Sequence, residues 1–141
     1  MEGLAGSLRP AALGKIISSL AAHAGLTSAS RVIDVGAGTG RALLQFSLAP
    51  GVASSWGVEL DRAKTDKAAP VCAAALGALG RQVVGAAPQI RCCDVANLGT
   101  AYPASHLFSF WEAMHPAARA ATGRLFARSA SLVAAAVVQR P

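Results

Sequence analysis

The sequence is poor in cysteine and in charged residues, and each shortage narrows the class of protein. Three cysteines are present, Cys72, Cys92 and Cys93, and the last two are adjacent. An odd number with this spacing does not fit a secreted disulfide scaffold. Neither C-x-x-C nor H-x-x-x-H occurs, so we predict a reduced protein without a metal site. Charged residues make up 14% and hydrophobic residues 53%, a balance that argues against disorder.

Long apolar runs are also missing. The longest, 132-LVAAAVV-138, is much shorter than the roughly 18 residues that a membrane-spanning helix needs. We therefore expect a soluble, intracellular protein with no membrane partner. The first thirty residues are poor in acids, which also fits an organelle transit peptide. We prefer a helix over about 10–25, because Pro10 suits a first helical turn and the apolar residues share one face.

The length of 141 residues predicts a single domain, 1–141, whose core covers about 31–138. Strands are predicted at 32–35, 55–60, 89–95, 106–111 and 132–138. Helices are predicted at 40–49, 62–69, 71–80 and 116–130. Asp61 is the expected cap of the helix at 62, and Pro70 is expected to kink or split that helix. The alternation predicts an α/β fold: a doubly wound, mainly parallel, five-stranded sheet with helices on both faces.

Three glycines at alternate positions follow the first strand, in 31-RVIDVGAGTGR-41. Glycine lets the backbone bend sharply and approach a ligand, and the start of the next helix offers amides to an anion. The turn therefore predicts a nucleotide-like ligand with a carboxylate or a phosphate. Arg41 replaces the third glycine of G-x-G-x-x-G, which argues against a nicotinamide-dependent oxidoreductase, and the phosphate loop G-x-x-x-x-G-K-[ST] is absent.

The segment 34-DVGAGTG-40 resembles motif I of the class I S-adenosylmethionine-dependent methyltransferases. The resemblance implies a Rossmann-like sheet of order 3-2-1-4-5 that lacks the family's last two strands. It also implies that S-adenosylmethionine (SAM) is the cofactor. By this resemblance, the amides of residues 36–40 would bind the methionine part of SAM, and Asp34 would bind its amino group. Glu59 would bind the ribose, and Asp94 would bind the adenine. The implied cofactor-binding residues are Asp34, Gly36, Ala37, Gly38, Thr39, Gly40, Glu59, Leu60, Asp94, Val95 and Phe110.

The segment 108-FSFWEAMHP-116 would face the transferred methyl group in this family. Trp111, whose ring suits a cation, and Glu112, which suits an amine, are the candidate catalytic residues. Together with 34–61, the segment is similar to histone lysine methyltransferases of the disruptor-of-telomeric-silencing type. That narrower resemblance implies a histone lysine as the acceptor and a nuclear location. The sequence departs from it where Phe110, Trp111 and Glu112 replace an asparagine-rich stretch.

Several alternatives stay open at this point. The net charge of +6 favours nucleic acid, nucleosomes or other anionic partners, although the arginines form no dense run. The domain is therefore either a methyltransferase acting on protein, RNA or a small molecule, or a non-catalytic cofactor-binding or nucleic-acid-associated module. A cytoplasmic location is expected if histones are not the substrate. An exposed fifth strand would allow an edge-strand dimer.

Overall fold

A computed structural model of the protein describes residues 8–48, 50–80, 87–112 and 114–139. Residue 49, the last of the helix predicted at 40–49, lies outside these ranges. A short 3₁₀ turn follows the third strand at Val95–Asn97, so that strand is shorter than predicted. The helices and strands are α1 (Pro10–His23), β1 (Arg31–Val35), α2 (Arg41–Leu48), β2 (Ser54–Glu59), α3 (Arg62–Leu79), β3 (Gln89–Cys92), β4 (His106–Phe110), α4 (Pro116–Arg128) and β5 (Ala134–Val138).

The five strands form one sheet in the order β3-β2-β1-β4-β5, and every neighbouring pair is parallel. The predicted fold class and strand order are confirmed. Asp34 of β1 lies in register with Gly57 of β2 and Phe108 of β4. Because all strands run the same way, their carboxyl ends meet at one edge of the sheet. β3 and β5 are the outer strands, and the edge-strand dimer stays a prediction.

Helices cover both faces of the sheet because successive strand residues point to opposite sides. Val32 packs with α1 and α2 in one buried cluster, which includes Leu13, Leu43 and Phe46. Ile33, the next residue, belongs to a second cluster with Leu125 of α4. The core therefore consists of two apolar layers with the sheet between them.

The helix predicted at the amino-terminal end is present and is part of the core. Its apolar stripe, Leu13, Ile17 and Leu20, is buried. Just beyond its last turn, the carbonyl oxygen of Ala24 accepts a hydrogen bond of 2.7 Å from Nε2 of the buried His106 in β4. This packing supports the interpretation of residues 10–25 as a helix of the folded domain rather than as part of a transit peptide. Among the described residues, no helix is both long and apolar enough to cross a membrane.

The predicted split at Pro70 is wrong, because α3 runs as one helix from Arg62 to Leu79. The alternative, a kink at Pro70, stays a prediction. Asp61 caps it as expected, since its side chain accepts hydrogen bonds from the amides of Ala63 (2.8 Å) and Lys64 (3.3 Å). Ala68 and Cys72 lie on either side of Pro70 and are both buried. Tertiary packing therefore keeps the residues on both sides of Pro70 in one helix, although proline removes one helical hydrogen bond.

We expect Pro70→Ala to raise the free energy of unfolding by about 1–2 kcal/mol, because alanine restores the missing amide in an exposed helix interior. The gain is smaller than the full helix penalty of proline, because proline also restricts the unfolded chain. Urea denaturation measures it. Pro116→Ala is the matched control: Pro116 occupies the first turn of α4, where the amide is not needed. Equal effects of the two substitutions would contradict this account of α3.

Candidate functional site

A cavity of about 330 Å³ opens at the carboxyl edge of the sheet. It is lined by residues at or just after the ends of β1, β2, β3 and β4, where ligands bind in open α/β sheets. Its lining brings together much of the cofactor-binding set predicted from the sequence. Those members are Gly36, Gly38, Glu59, Leu60, Asp94, Val95 and Phe110.

The backbone of the glycine turn explains why this stretch contains three glycines. Gly36, Gly38 and Gly40 have φ values of +83°, +58° and +89°, which side-chain-bearing residues rarely adopt. Space is short as well: a Cβ on Gly36 would lie 2.9 Å from Cε of Met114. A Cβ on Gly40 would lie 2.8 Å from Cδ1 of Ile90. The dihedral angles therefore favour glycine at all three positions, and at Gly36 and Gly40 a Cβ would also displace the end of a neighbouring side chain.

The amides of this turn are mostly bound within the protein. Those of Gly36 and Ala37 both donate to the carbonyl oxygen of Val58, at 2.9 and 3.1 Å, and that of Gly40 donates to the carbonyl of Ala37. The amide of Gly38 donates to Oε2 of Glu59 at 2.9 Å. The expectation that the amides of residues 36–40 receive a ligand is therefore corrected for these four. They hold the turn against β2 instead.

Glu59 connects the glycine turn to the start of α3. Its Oε2 accepts from the amide of Gly38, and its Oε1 accepts from the amide of Asp61 at 3.1 Å. A carboxylate can accept about four hydrogen bonds, so about two acceptor positions remain. Because Glu59 also lines the cavity, a fixed carboxylate is presented to any ligand with two neighbouring hydroxyls.

Asp34 is the most unusual group near the cavity. It is only 2% exposed, and its Oδ1 has no hydrogen-bond partner among the described residues. Burial, and secondarily the charge of Glu59, raises the pKa of Asp34 to about 8. Asp34 does not itself line the cavity, but Val35 and Gly36, which follow it, do. A cation brought next to this carboxyl group would favour its ionised form.

The remaining predicted residues occupy different positions around the cavity. Asp94 lines it and also caps the 3₁₀ turn, since its Oδ1 accepts from the amide of Ala96 at 2.9 Å. Ala37, Thr39 and Gly40 are not part of the lining. Ala37 instead packs in the core, facing Gly57 of β2. Gly40 packs beneath the turn, close to Ile90 and Cys72.

The candidate catalytic residues Trp111 and Glu112 do not line the cavity, whereas Met114 and His115 from the same segment do. Arg119 of α4 holds this segment, because its guanidinium donates to the carbonyl oxygens of Trp111 (2.6 Å) and Met114 (2.9 Å). Sequence reasoning missed His115. The sequence feature that could have identified it is its position directly before Pro116, because a proline there marks the start of a helix that follows the end of a strand.

His115 is the cap of α4, and this fixes its chemistry. Its Nδ1 accepts a hydrogen bond from the amide of Ala117 at 3.2 Å. In the neutral ring the proton must then be on Nε2, which is a donor and not a base. Lys64, in the first turn of α3, and Cys93 complete the polar part of the lining. They were also missed, because neither belongs to a recognisable spacing.

Comparison with known proteins gives matches only at the level of structure, since no family model and no curated protein matches the chain. A SAM-dependent methyltransferase from Thiobacillus denitrificans, in complex with S-adenosyl-L-homocysteine, is 24% identical with a TM-score of 0.62, over 86% of this chain and 44% of that one. Magnesium protoporphyrin IX methyltransferase from Synechocystis, with bound SAM, is 18% identical with a TM-score of 0.63, over 86% and 54%. A Geobacter sulfurreducens SAM-dependent methyltransferase, in complex with S-adenosyl-L-homocysteine, is 19% identical with a TM-score of 0.61, over 87% and 46%.

The chain has the fold of the class I SAM-dependent methyltransferases. It spans about half the length of these three structures. The likeness agrees with the broader resemblance drawn from 34-DVGAGTG-40. The narrower one, to histone lysine methyltransferases of the disruptor-of-telomeric-silencing type, receives no support from these structures.

Gly57 allows the glycine turn of this methyltransferase fold to pack on β2. A Cβ at position 57 would lie 2.4 Å from Cβ of Ala37 and 3.2 Å from both the carbonyl oxygen of Asp34 and Cδ1 of Leu43. We expect Gly57→Ala to lower the free energy of unfolding by about 2–3 kcal/mol, because overpacking at a rigid contact forces the backbone apart. Thermal and urea denaturation measure the loss.

Gly77→Ala is the control for this substitution. Gly77 lies within α3, where a Cβ meets nothing within 4 Å. Alanine there should stabilise the protein by about 0.5–1 kcal/mol, the ordinary helix preference. If Gly57→Ala were as stable as the wild type, the close packing of the turn on β2 would be refuted.

We expect Asp34→Asn to remove a pH dependence of stability. The pKa of Asp34 is 3.8 when unfolded and about 8 when folded, so the folded protein keeps a proton that the unfolded chain loses. Wild-type stability should therefore fall as pH rises from about 4 to about 8, by at most about 1.4 kcal/mol per pH unit. The free energy of unfolding of Asp34→Asn, relative to that of the wild type, should therefore rise over the same pH range. Urea titrations across it measure both slopes, and parallel curves for the two proteins would contradict the burial of an ionisable Asp34.

Proposed function

We propose that the chain binds SAM and transfers its methyl group to an acceptor. The observation that supports this most directly is the composition of the 330 Å³ cavity. At the carboxyl edge of a methyltransferase fold, it combines a glycine turn with two carboxylates from successive strand ends, Glu59 and Asp94. This combination suits a ligand that has a ribose, a base and an amino acid.

The residues present fit the parts of SAM. Glu59 is oriented by the amides of Gly38 and Asp61, and its remaining lone pairs suit the two ribose hydroxyls. Asp94 suits the adenine amino group. Leu60 and Phe110, which also line the cavity, offer apolar contact to the flat base.

The buried carboxyl of Asp34 suits the ammonium of the methionine part. In the folded protein its pKa is raised to about 8, so it is mostly protonated at neutral pH. Pairing with an ammonium favours the ionised form and releases that proton. Below about pH 8, binding of the cofactor should therefore strengthen as the pH rises.

SAM would supply a methyl group activated by its sulfonium, and methyl transfer is an in-line displacement. The protein's part is to align the two reactants and to exclude water. His115 does not act as a base in this conformation, because its Nδ1 accepts from the Ala117 amide and its Nε2 then carries the proton. The acceptor would therefore lose its proton before attack, and His115 would donate a hydrogen bond from Nε2.

We place the acceptor on the side of the cavity formed by Met114 and His115, which also line it. A protein lysine, including a histone lysine, is one acceptor class, although Glu112, the residue expected to bind its ammonium, does not line the cavity. RNA and small molecules are the others.

One observation favours a second function, a non-catalytic cofactor-binding module: neither Trp111 nor Glu112 lines the cavity.

Glu59→Ala is the test of cofactor binding. We expect it to weaken the affinity for SAM and for S-adenosyl-L-homocysteine by about 1–3 kcal/mol, because hydrogen bonds to a charged group are lost. Calorimetry measures the affinities. Asp66→Ala is the control, since Asp66 is an exposed acid of α3 outside the cavity lining. Unchanged affinity of a folded Glu59→Ala protein would remove Glu59 from the site.

Turnover is measured separately, with SAM labelled on its methyl group. Histones, bulk RNA and a small-molecule extract are offered in parallel, and incorporation into one of them identifies the acceptor class. Binding of SAM without labelling of any of the three would establish the non-catalytic alternative. Absence of binding would reject both.

A further inference from the structure

A second cavity, of about 500 Å³, lies at the opposite end of the same strands. Ser54 and Gln89, the first residues of β2 and β3, line it together with the loop 98–103. A strand rises about 3.3 Å per residue, so Ser54 and Glu59 lie about 16 Å apart. The cavity is therefore separate from the cofactor cavity, and a ligand could bind in it whether or not the chain transfers methyl groups.

Two aromatic side chains, Trp56 and Tyr102, are part of the lining of this second cavity. Tyr102 is 72% exposed, which is unusual for a ring that lines a cleft. Trp56 lies beside it in the lining, and the guanidinium of Arg91 stacks on the indole, 5.1 Å from the ring centroid. Because Trp56 is in register with Gln89 and Arg91 is two residues further along β3, these side chains share one face of the sheet. The face offers a ring, a guanidinium and a side-chain amide within one cleft.

Two polar side chains of the lining differ in what they offer to a ligand. The indole Nε1 of Trp56 is buried and has no partner among the described residues. A buried donor without an acceptor costs free energy comparable to a lost hydrogen bond. The amide of Gln89, an exposed residue, can both donate and accept. A ligand with ring carbonyls and ring nitrogens would match the exposed amide of Gln89.

The charge of the cleft is positive. Among the described residues that line it, none is acidic and Arg91 is cationic. Arg128 of α4 adds a second guanidinium at the rim, where it donates to the carbonyl oxygen of Leu98, a lining residue. The whole chain carries a net charge of +6. A polyanion would therefore be attracted to this edge of the sheet.

We propose that this cavity, at the amino edge of β2 and β3, binds single-stranded nucleic acid. A base stacks on Tyr102, and Arg91 binds a backbone phosphate next to it. Stacking on an exposed ring is tolerant of sequence, because every base has a flat face. Single strands are favoured over a duplex because only an unpaired base can enter the cleft.

The experiment is a titration of the full chain with fluorescein-labelled oligouridine RNA and oligothymidine DNA of about ten nucleotides, a length within the usual site size. Binding is followed by anisotropy at low salt and without SAM. Because no cofactor is present, failure of the proposed methyl transfer leaves this result intact. We expect Tyr102→Ala to weaken binding about tenfold, whereas Tyr102→Phe, which keeps the ring, should stay near the wild type.

Charge is tested by Arg91→Ala, which should reduce the slope of log affinity against log salt by about 0.7, the value for one phosphate on a single strand. Arg9→Ala is its control, because Arg9 is exposed at the start of α1 and is not part of the cleft. Circular dichroism checks that each variant is folded. Equal reductions of affinity for Arg91→Ala and Arg9→Ala, or no reduction for Tyr102→Ala, would show that binding is diffuse charge attraction. Either result would contradict the proposed site. Lack of binding to either oligonucleotide would overturn it as well.

Discussion

The arrangement of the cavity at the carboxyl edge of the sheet depends on the hydrogen bonds that the carboxylate of Glu59 accepts. One of its oxygens accepts the amide of Gly38 and the other accepts the amide of Asp61. It therefore ties the turn after β1 to the beginning of α3 across the end of β2. Val58, one residue earlier, binds the amides of Gly36 and Ala37 through its carbonyl oxygen. Two consecutive residues of one strand thus set the shape of the glycine turn, and the turn sets the wall of the cavity.

Asp34 shows that the same region carries a cost to stability. A carboxyl group with 2% exposure and a pKa raised to about 8 is a poor choice for a stable core, because burial penalises its charge. A core optimised for stability alone would place an apolar residue there. Its position directly before the glycine turn gives the cost a reason, since a cationic ligand group would offset it. Under the proposed function, stability of the ligand-free protein and affinity for SAM would be opposed at this one residue.

The sequence predicted the parts of this structure that follow from local pattern. Alternating strands and helices indicated the fold class, and the resemblance of 34-DVGAGTG-40 indicated the strand order, because a βα turn of this kind constrains both neighbours. Pro70 was misjudged because helix propensity is local, whereas Ala68 and Cys72 are held by packing against distant parts of the chain. The amides of the turn were misassigned because the spacing of glycines does not show which carbonyl lies opposite. His115 was overlooked because its place before Pro116 marks only a helix start, and the fold is what brings it to the cavity.

Gly57 of β2 lies directly against Ala37 of the glycine turn, so the two positions share one small volume. A Cβ at 57 would lie 2.4 Å from the Cβ at 37, and one of the two positions must therefore be glycine. Substitutions at the two positions should therefore be coupled. A variant with alanine at 57 would need glycine at 37. The glycine at 57 is thus a sequence constraint that lies outside the recognisable motif, about twenty residues away from the turn it accommodates.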